Sequence, residues 1–179
     1  MLKLLSFPGL RQIKPISLAR FNLLLATWLG LVLNFAFYQK IHQLTPYTNL
    51  KAGALLAATV LVIIGLYNLV LQWLNWKWNA KILASVLIIL GGFSAYFVNS
   101  LGVVITPDQI QNMLQTDARE VRDLWSVRLL IWTLVFVVFP LCIVWMLKIQ
   151  PASFGRQLWH KSLSSLLSAG LILGLLFCF

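Results

Sequence analysis

The sequence predicts an all-α membrane protein with five transmembrane helices and one amphipathic helix at the membrane surface. Of the 179 residues, 60% are hydrophobic and only 10% are charged, whereas a soluble domain has about 25% charged residues. The apolar residues also fall into five runs, each approaching the ~20 residues needed to cross a hydrocarbon core. The predicted spans are about 21–38, 52–71, 82–101, 129–147 and 163–179.

Polar and small residues within the spans predict how the helices pack. Pro140 predicts a kink in the fourth span, because proline removes a helical hydrogen bond. Glycines let helices approach closely in a membrane, and buried amides hydrogen-bond between helices. The candidates for close packing are Gly65, Gly91, Gly92, Gly170 and Gly174, and the candidates for interhelical hydrogen bonds are Asn22, Asn34 and Asn68.

The fifth apolar run continues to the last residue, Phe179. Counted from Leu163, it is slightly too short for a hydrocarbon core of ~30 Å. The helix therefore either begins earlier, within Trp159–Ser162, or is cut inside or at the end of the span. We expect a cut, with some part of the protein outside the membrane missing from this sequence.

Basic residues predict the orientation. The segments 1–20, 72–81 and 148–162 together contain nine Lys or Arg and no acidic residue. The other side has five basic residues and all four acidic ones. Because cytoplasmic loops are enriched in Lys and Arg, the N-terminus is predicted in the cytoplasm and the C-terminus outside. The tryptophans expected to form a belt at the cytoplasmic face are Trp73, Trp76, Trp78, Trp145 and Trp159.

The stretch 107–125 is predicted to be an amphipathic helix on the outer side of the membrane, which is the periplasmic side if the membrane is a bacterial inner membrane. Thr106, Pro107 and Gln109 form a helix-start signature with a capping box. The stretch holds every acidic residue of a chain whose net charge is +10, so it is too polar to span a bilayer and should lie at the interface.

Asn112, Thr116 and Glu120 fall four residues apart and therefore form one ladder on this helix. The ladder could bind a zwitterionic lipid headgroup, with Glu120 facing the ammonium and the other two donating to phosphate. The alternative is a solvated polar face with weak surface ion pairs. Considered without any relative, the residues favour the solvated face.

The sequence contains no catalytic residue and no metal site that its motifs reveal. It has no Ser/His/Asp arrangement, no Cys/His spacing typical of a metal and no glycine-rich phosphate loop. The basic residues are divided among loops beside apolar spans, which indicates membrane lipids as partners and no nucleic acid.

One segment resembles a known enzyme family. The run SAYFVNSLGVVITPDQIQNMLQTDAREVRDL is similar to the loop after the third span of bacterial phosphoethanolamine–lipid A transferases, which include the mobile colistin-resistance enzymes. The most specific shared motif is N-x-x-x-TD-x-x-E, here Asn112, Thr116-Asp117 and Glu120. Asn99 and Leu101 stand where the family has Asp and Tyr.

The resemblance implies an enzyme of two parts. The membrane domain precedes a periplasmic catalytic domain, absent from this chain, that packs on its outer face and contains zinc and a threonine nucleophile. That enzyme takes phosphoethanolamine from phosphatidylethanolamine and adds it to lipid A, which weakens polymyxin (colistin) binding. The residues matching Asn112, Thr116 and Glu120 contribute to its lipid-substrate site.

Two alternatives remain open at this point. The same membrane domain serves related transferases whose acceptor is a core sugar or a periplasmic glucan. A small transporter subunit is disfavoured, because it would place charges or broken helices inside the spans.

Overall fold

Six helices make up the described part of the chain, and they form one bundle. The computed structural model describes residues 15–45, 50–101, 126–150 and 153–178. The predicted helix at 107–125 lies outside these residues. The helices are α1 (Leu18–Val32), α2 (Phe35–Leu44), α3 (Leu50–Leu74), α4 (Ala80–Leu101), α5 (Val127–Met146) and α6 (Phe154–Cys178).

The helices coincide with the apolar runs, with differences at the first and the last. By length and composition, α3, α4 and α5 are able to cross a membrane, and α1 with α2 adds a fourth crossing if the bent pair is counted as one span. Residues 163–178 of the predicted fifth span lie in α6, which is not among these candidate crossings. That helix begins at Phe154, so it takes in Trp159–Ser162 and is longer than the apolar run alone.

The predicted first span, 21–38, is not one continuous helix. The chain bends by 50° between α1 and α2. The last turn of α1, Trp28–Val32, is a π-turn, which leaves carbonyl groups without their usual helical donors. Side chains after the bend supply donors instead: Asn34 Nδ2 donates to the Leu29 carbonyl (2.8 Å) and the Tyr38 hydroxyl donates to the Gly30 carbonyl. The Asn34 side chain therefore bonds to the end of α1, five residues earlier in the same predicted span. The expectation that it bonds to a different span was wrong.

A second π-turn precedes Pro140, the residue at which a kink was predicted. Residues Leu134–Val138 are π-helical, and Pro140 follows in the first turn of the regular helix that ends α5. Proline has no N–H to donate to the residue four positions earlier, so the widened turn accommodates the missing bond.

Glycines set the distances between the helices. A Cβ atom on Gly30 of α1 would lie 3.0 Å from the Ile64 side chain and 3.3 Å from its backbone in α3. A Cβ on Gly92 of α4 would lie 2.5 Å from a methyl group of Val137, which is in the π-turn of α5. Gly91 similarly meets Leu33, and Gly65 meets Ile172 of α6. Gly170 and Gly174 have no such neighbour among the described residues.

The outer surface of the bundle is apolar. The buried core is formed mainly by Leu and Ala side chains of α1 and α4, with two valines of α5, while large hydrophobic residues point outward. In water such a surface would promote aggregation, whereas lipid chains solvate it. Examples are Leu61, Val70, Ile82, Leu90, Ile131, Phe139, Leu166 and Leu167.

Gly92→Ala should lower the free energy of unfolding by about 1–3 kcal/mol, the usual cost of forcing an extra methyl group into a packed interface. Unfolding in detergent micelles measures it. Gly170→Ala, at an exposed position of α6, is the matched control and should be neutral or slightly stabilising because alanine favours helix. Equal effects of the two substitutions would contradict the close-packing role of Gly92.

Candidate functional site

The predicted lipid-binding residues Asn112, Thr116 and Glu120 lie outside the described residues, and so does the whole helix predicted at 107–125. The structure describes the residues on either side of the stretch 102–125. These are the end of α4 and the beginning of α5, which lie at one end of the bundle.

A hydrogen bond joins the two flanks of this segment. The hydroxyl groups of Tyr96 in α4 and Ser126 before α5 are 3.2 Å apart. Ser126 also caps α5, because its hydroxyl accepts from the Leu129 amide at 3.2 Å. The Trp132 indole on the next turn donates to the Gly92 carbonyl at 2.9 Å. The stretch 102–125 therefore begins and ends on helices that are bonded to each other.

A row of aromatic rings continues inward from this hydrogen bond. The ring of Tyr96 packs edge-on against Trp132 at 5.9 Å, and Trp132 lies 4.2 Å from Phe136. Phe136 reaches Trp28 of α1 at 6.4 Å. Each aromatic pair contributes about 0.5–1.5 kcal/mol in addition to the free energy of burying its area. The row therefore stabilises the packing of α4, α5 and α1 next to the stretch 102–125. Tyr96 and Phe97 belong to the run of sequence that resembles the transferase family.

The opposite end of the bundle gathers the predicted cytoplasmic segments. The backbone amide of Ile16 donates to the Lys148 carbonyl, and that of Gln150 donates to the Ile16 carbonyl, both at 2.9 Å. Lys81 at the start of α4 donates to the Trp145 carbonyl at 3.0 Å, and Trp76 stacks on Phe154 at 5.6 Å. The start of α1, the α3–α4 turn and the α5–α6 connection therefore share one end.

A polar cluster crosses three helices close to this end. Asn22 of α1 donates to Gln72 of α3 (3.0 Å), and Asn75 donates to Asn22 (2.7 Å). Gln72 in turn donates to Asn68 and to Ser164 of α6, both at 3.0 Å. The cluster consists of Asn22, Asn68, Gln72, Asn75, Ser164 and Ser168.

The expectation of interhelical hydrogen bonds is confirmed for Asn22 and Asn68. Gln72, Asn75, Ser164 and Ser168 were missed, because they fall at the ends of the apolar runs, where polar residues are usually read as solvated. Their four-residue spacing, at 68 and 72 and at 164 and 168, was the available signal. The members are neutral amides and hydroxyls that bond to one another, so the cluster joins α1, α3 and α6.

The described residues contain no group of three or more His, Cys, Asp or Glu side chains that could hold a metal ion. They also lack any acidic residue, since all four acids of the sequence lie between 108 and 123. The zinc implied by the resemblance therefore has no set of ligands in the described part of the chain.

Comparison with known proteins decides the family. Residues 63–179 match the family model described as phosphoethanolamine transferase EptA/EptB. The chain belongs to this family. It corresponds to the family's N-terminal membrane domain, and it is a multi-pass membrane protein.

Individual members of the EptA/EptB family agree with this assignment. The chain is 30% identical over 141 residues to the Kdo(2)-lipid A phosphoethanolamine 7''-transferase of Escherichia coli strain K12, covering 76% of this chain and 25% of that protein. It is 28% identical over 137 residues to the phosphatidylethanolamine transferase Mcr-1 of Escherichia coli, covering 76% and 25%. The chain thus spans about a quarter of the length of these curated relatives.

The fold also matches a solved member. The integral membrane lipooligosaccharide phosphoethanolamine transferase A (EptA) from Neisseria meningitidis superposes with a TM-score of 0.77 at 21% identity. The match covers 89% of this chain and 30% of that one. The helical bundle is therefore the EptA membrane fold.

Gln72→Leu should lower the free energy of unfolding by about 1–2 kcal/mol, because it removes the side chain that links Asn22, Asn68 and Ser164. Asn99→Leu serves as the control, since Asn99 bonds only to the Ala95 carbonyl of its own helix among the contacts described. Both are measured by unfolding in micelles, and a loss no larger for Gln72 than for Asn99 would refute the linking role.

Proposed function

We propose that this chain is the membrane domain of a phosphoethanolamine–lipid A transferase. It anchors the enzyme in the bacterial inner membrane and helps to bind the lipid substrates. The parent enzyme transfers phosphoethanolamine from phosphatidylethanolamine to lipid A and thereby confers resistance to polymyxins such as colistin. A periplasmic catalytic domain with zinc packs on the outer face of this bundle.

The match of residues 63–179 to the EptA/EptB family is the observation that carries the proposal. The matched range includes the motif residues Asn112, Thr116 and Glu120. It also includes Tyr96 and Ser126, whose hydroxyl groups lie 3.2 Å apart and join the two flanks of the stretch 102–125. A segment tethered at both ends is suited to a fixed binding position, because less conformational entropy is lost when a ligand binds.

The ladder on the predicted helix supplies the chemistry for a zwitterionic headgroup. The Glu120 carboxylate pairs with the ammonium of phosphoethanolamine, while Asn112 and Thr116 donate hydrogen bonds to its phosphate. A charge pair gains strength where water is partly excluded, as it is at headgroup depth. At that depth the predicted helix would meet the headgroup that a lipid substrate presents to the catalytic domain.

The proposed topology has five crossings, with α1 and α2 together as the first and α6 as the last. The end of the bundle that gathers Ile16, the α3–α4 turn and the α5–α6 connection carries the basic residues Arg20, Lys77, Lys81, Lys148, Arg156 and Lys161. By the positive-inside rule this end is cytoplasmic. The segment 102–125 then lies in the periplasm, on the same side as the C-terminus.

Lipid A is the proposed acceptor, although relatives with differently worded activities match almost equally well. One is named a Kdo(2)-lipid A phosphoethanolamine 7''-transferase, and others are named EptA or Mcr-1. Their identities to this chain lie between 28% and 30%. A core sugar or a periplasmic glucan is the alternative acceptor, and mass spectrometry of lipid A from cells that express the parent enzyme distinguishes these cases.

Asn112→Ala, Thr116→Ala and Glu120→Ala, introduced into the full-length enzyme, should each lower polymyxin resistance. Loss of one charge-assisted hydrogen bond should weaken binding of the donor lipid by about tenfold. Colistin susceptibility and lipid binding to the purified enzyme provide the measurements.

The controls for the ladder are Gln111→Ala and Arg122→Ala on the same predicted helix. They should change resistance little, and all five variants should insert into the membrane at normal levels. If the five behave alike, the ladder is a solvated face and the assignment of the headgroup site fails, while the family assignment stands.

Single cysteines at Gln115 and Ser162, in a chain without Cys142 and Cys178, should react with membrane-impermeant reagents from opposite sides of the inner membrane. The expectation follows from the unequal distribution of basic residues. Intact spheroplasts and inverted vesicles report the two sides. Labelling of both cysteines from the periplasm would overturn the proposed topology.

A further inference from the structure

A small cavity lies at the basic end of the bundle, where the start of α1 meets the first turns of α6. Its volume is about 70 Å³. Because a water molecule occupies about 30 Å³ in the liquid, the cavity has room for a tetrahedral phosphate group. Six of the lining residues matter here: Ser17, Leu18, Ala19, Arg156, His160 and Lys161.

The side chains around this cavity favour an anion. Arg156 and Lys161 are cationic, and His160 adds a ring N–H donor. The part of the chain that the structure describes has no carboxylate to neutralise them, since the acidic residues all lie between 108 and 123. An anion entering the cavity therefore meets attractive charge without displacing an internal partner.

Lys161 is buried without a hydrogen-bond acceptor. Only 3% of its surface is exposed, and its Nζ has no acceptor among the described residues. The ammonium lies 3.5 Å from the centre of the Trp76 ring, a cation–π contact that leaves its N–H donors unsatisfied. Burying an unpaired ammonium group is costly, and a phosphate oxygen would provide the missing acceptor.

The beginning of α1 adds backbone donors to the same cavity. Leu18 and Ala19 occupy the first turn of the helix, where amide groups have no intrahelical acceptor. The positive end of the helix dipole also points toward the cavity lining. Such a helix start is suited to phosphate, and here it lines the same cavity as the buried lysine.

An open aromatic groove is adjacent to the cavity. It is lined by Trp76, Lys77, Trp78 and Phe154 and has a volume of about 500 Å³. Gln157 lines both spaces, so they adjoin. Trp side chains beside a lysine are typical of the headgroup level of a membrane, and the groove could therefore receive the glycerol and upper acyl chain of a lipid.

We propose that the cavity between the start of α1 and α6 binds a phosphate group, supplied by the headgroup of an acidic phospholipid or by free inorganic phosphate. The site lies at the opposite end of the bundle from Tyr96 and Ser126. It would hold the bundle in the membrane by a fixed anionic contact, independently of the proposed substrate ladder.

The test uses the purified 179-residue chain in a neutral detergent. Native mass spectrometry compares retention of dioleoyl phosphatidylglycerol with that of dioleoyl phosphatidylcholine. A second arm measures the thermal unfolding midpoint in inorganic phosphate and in chloride at equal ionic strength. Lys161→Met and Arg156→Met should each weaken binding by about tenfold, the effect of one lost charge-assisted hydrogen bond.

The matched control is Lys148→Met, which removes one exposed charge at the same end of the bundle without touching the cavity lining. A phosphatidylglycerol preference that is lost in the two cavity variants and kept in the control identifies a lipid. A phosphate-dependent midpoint shift with the same pattern, and no lipid preference, identifies the free anion. Because Arg156 is exposed, its variant tests the site even if Lys161→Met fails to fold. If the Arg156 variant matches the control in both arms, the proposal is overturned.

Discussion

Helices inside a bilayer gain little from burying apolar side chains against one another, because the surrounding lipid is equally apolar. Their association depends on close van der Waals contact, which requires small residues where two backbones meet. Gly30 against Ile64 and Gly92 against Val137 meet this requirement. Gly92 also offers the carbonyl that receives the Trp132 indole. The position of α5, and with it of Ser126 and the aromatic row, depends on this contact.

The two π-turns are related to the same constraint. Each one widens a helix at a place where a neighbouring helix approaches closely, at Trp28–Val32 in α1 and at Leu134–Val138 in α5. The α4 glycines Gly91 and Gly92 face these turns through Leu33 and Val137. π-turns cost helical hydrogen bonds and are often found at functional sites. Here the bend that follows the π-turn of α1 directs α2 away from the axis of α1. The π-turn of α5 accommodates Pro140.

The two ends of the bundle present different chemistry on one rigid frame. One end joins α4 to α5 through Tyr96 and Ser126 and carries the segment with the family motif. The other gathers cationic side chains, the Trp76–Phe154 stack and the polar cluster that ties α1, α3 and α6 together. On the two proposals made above, the first end would present the lipid substrate and the other would bind a phosphate group.

The sequence by itself determined the membrane class, the positions of the apolar helices and the family resemblance, because each depends on local composition or on a short motif. It also predicted the close contacts at Gly65, Gly91 and Gly92 and the interhelical role of Asn22 and Asn68. The bend at Asn34, the early start of α6 and the joining of Gln72 to Ser164 were decided only by tertiary structure. They depend on which carbonyl or side chain a neighbouring helix offers, and residues so far apart in the chain leave no local pattern. The cavity beside Lys161 was not predicted for the same reason, because its lining comes both from Ser17–Ala19 and from α6. For Asn112, Thr116 and Glu120 the sequence motif and the tethered flanks support a site, and their side-chain positions lie outside the described residues.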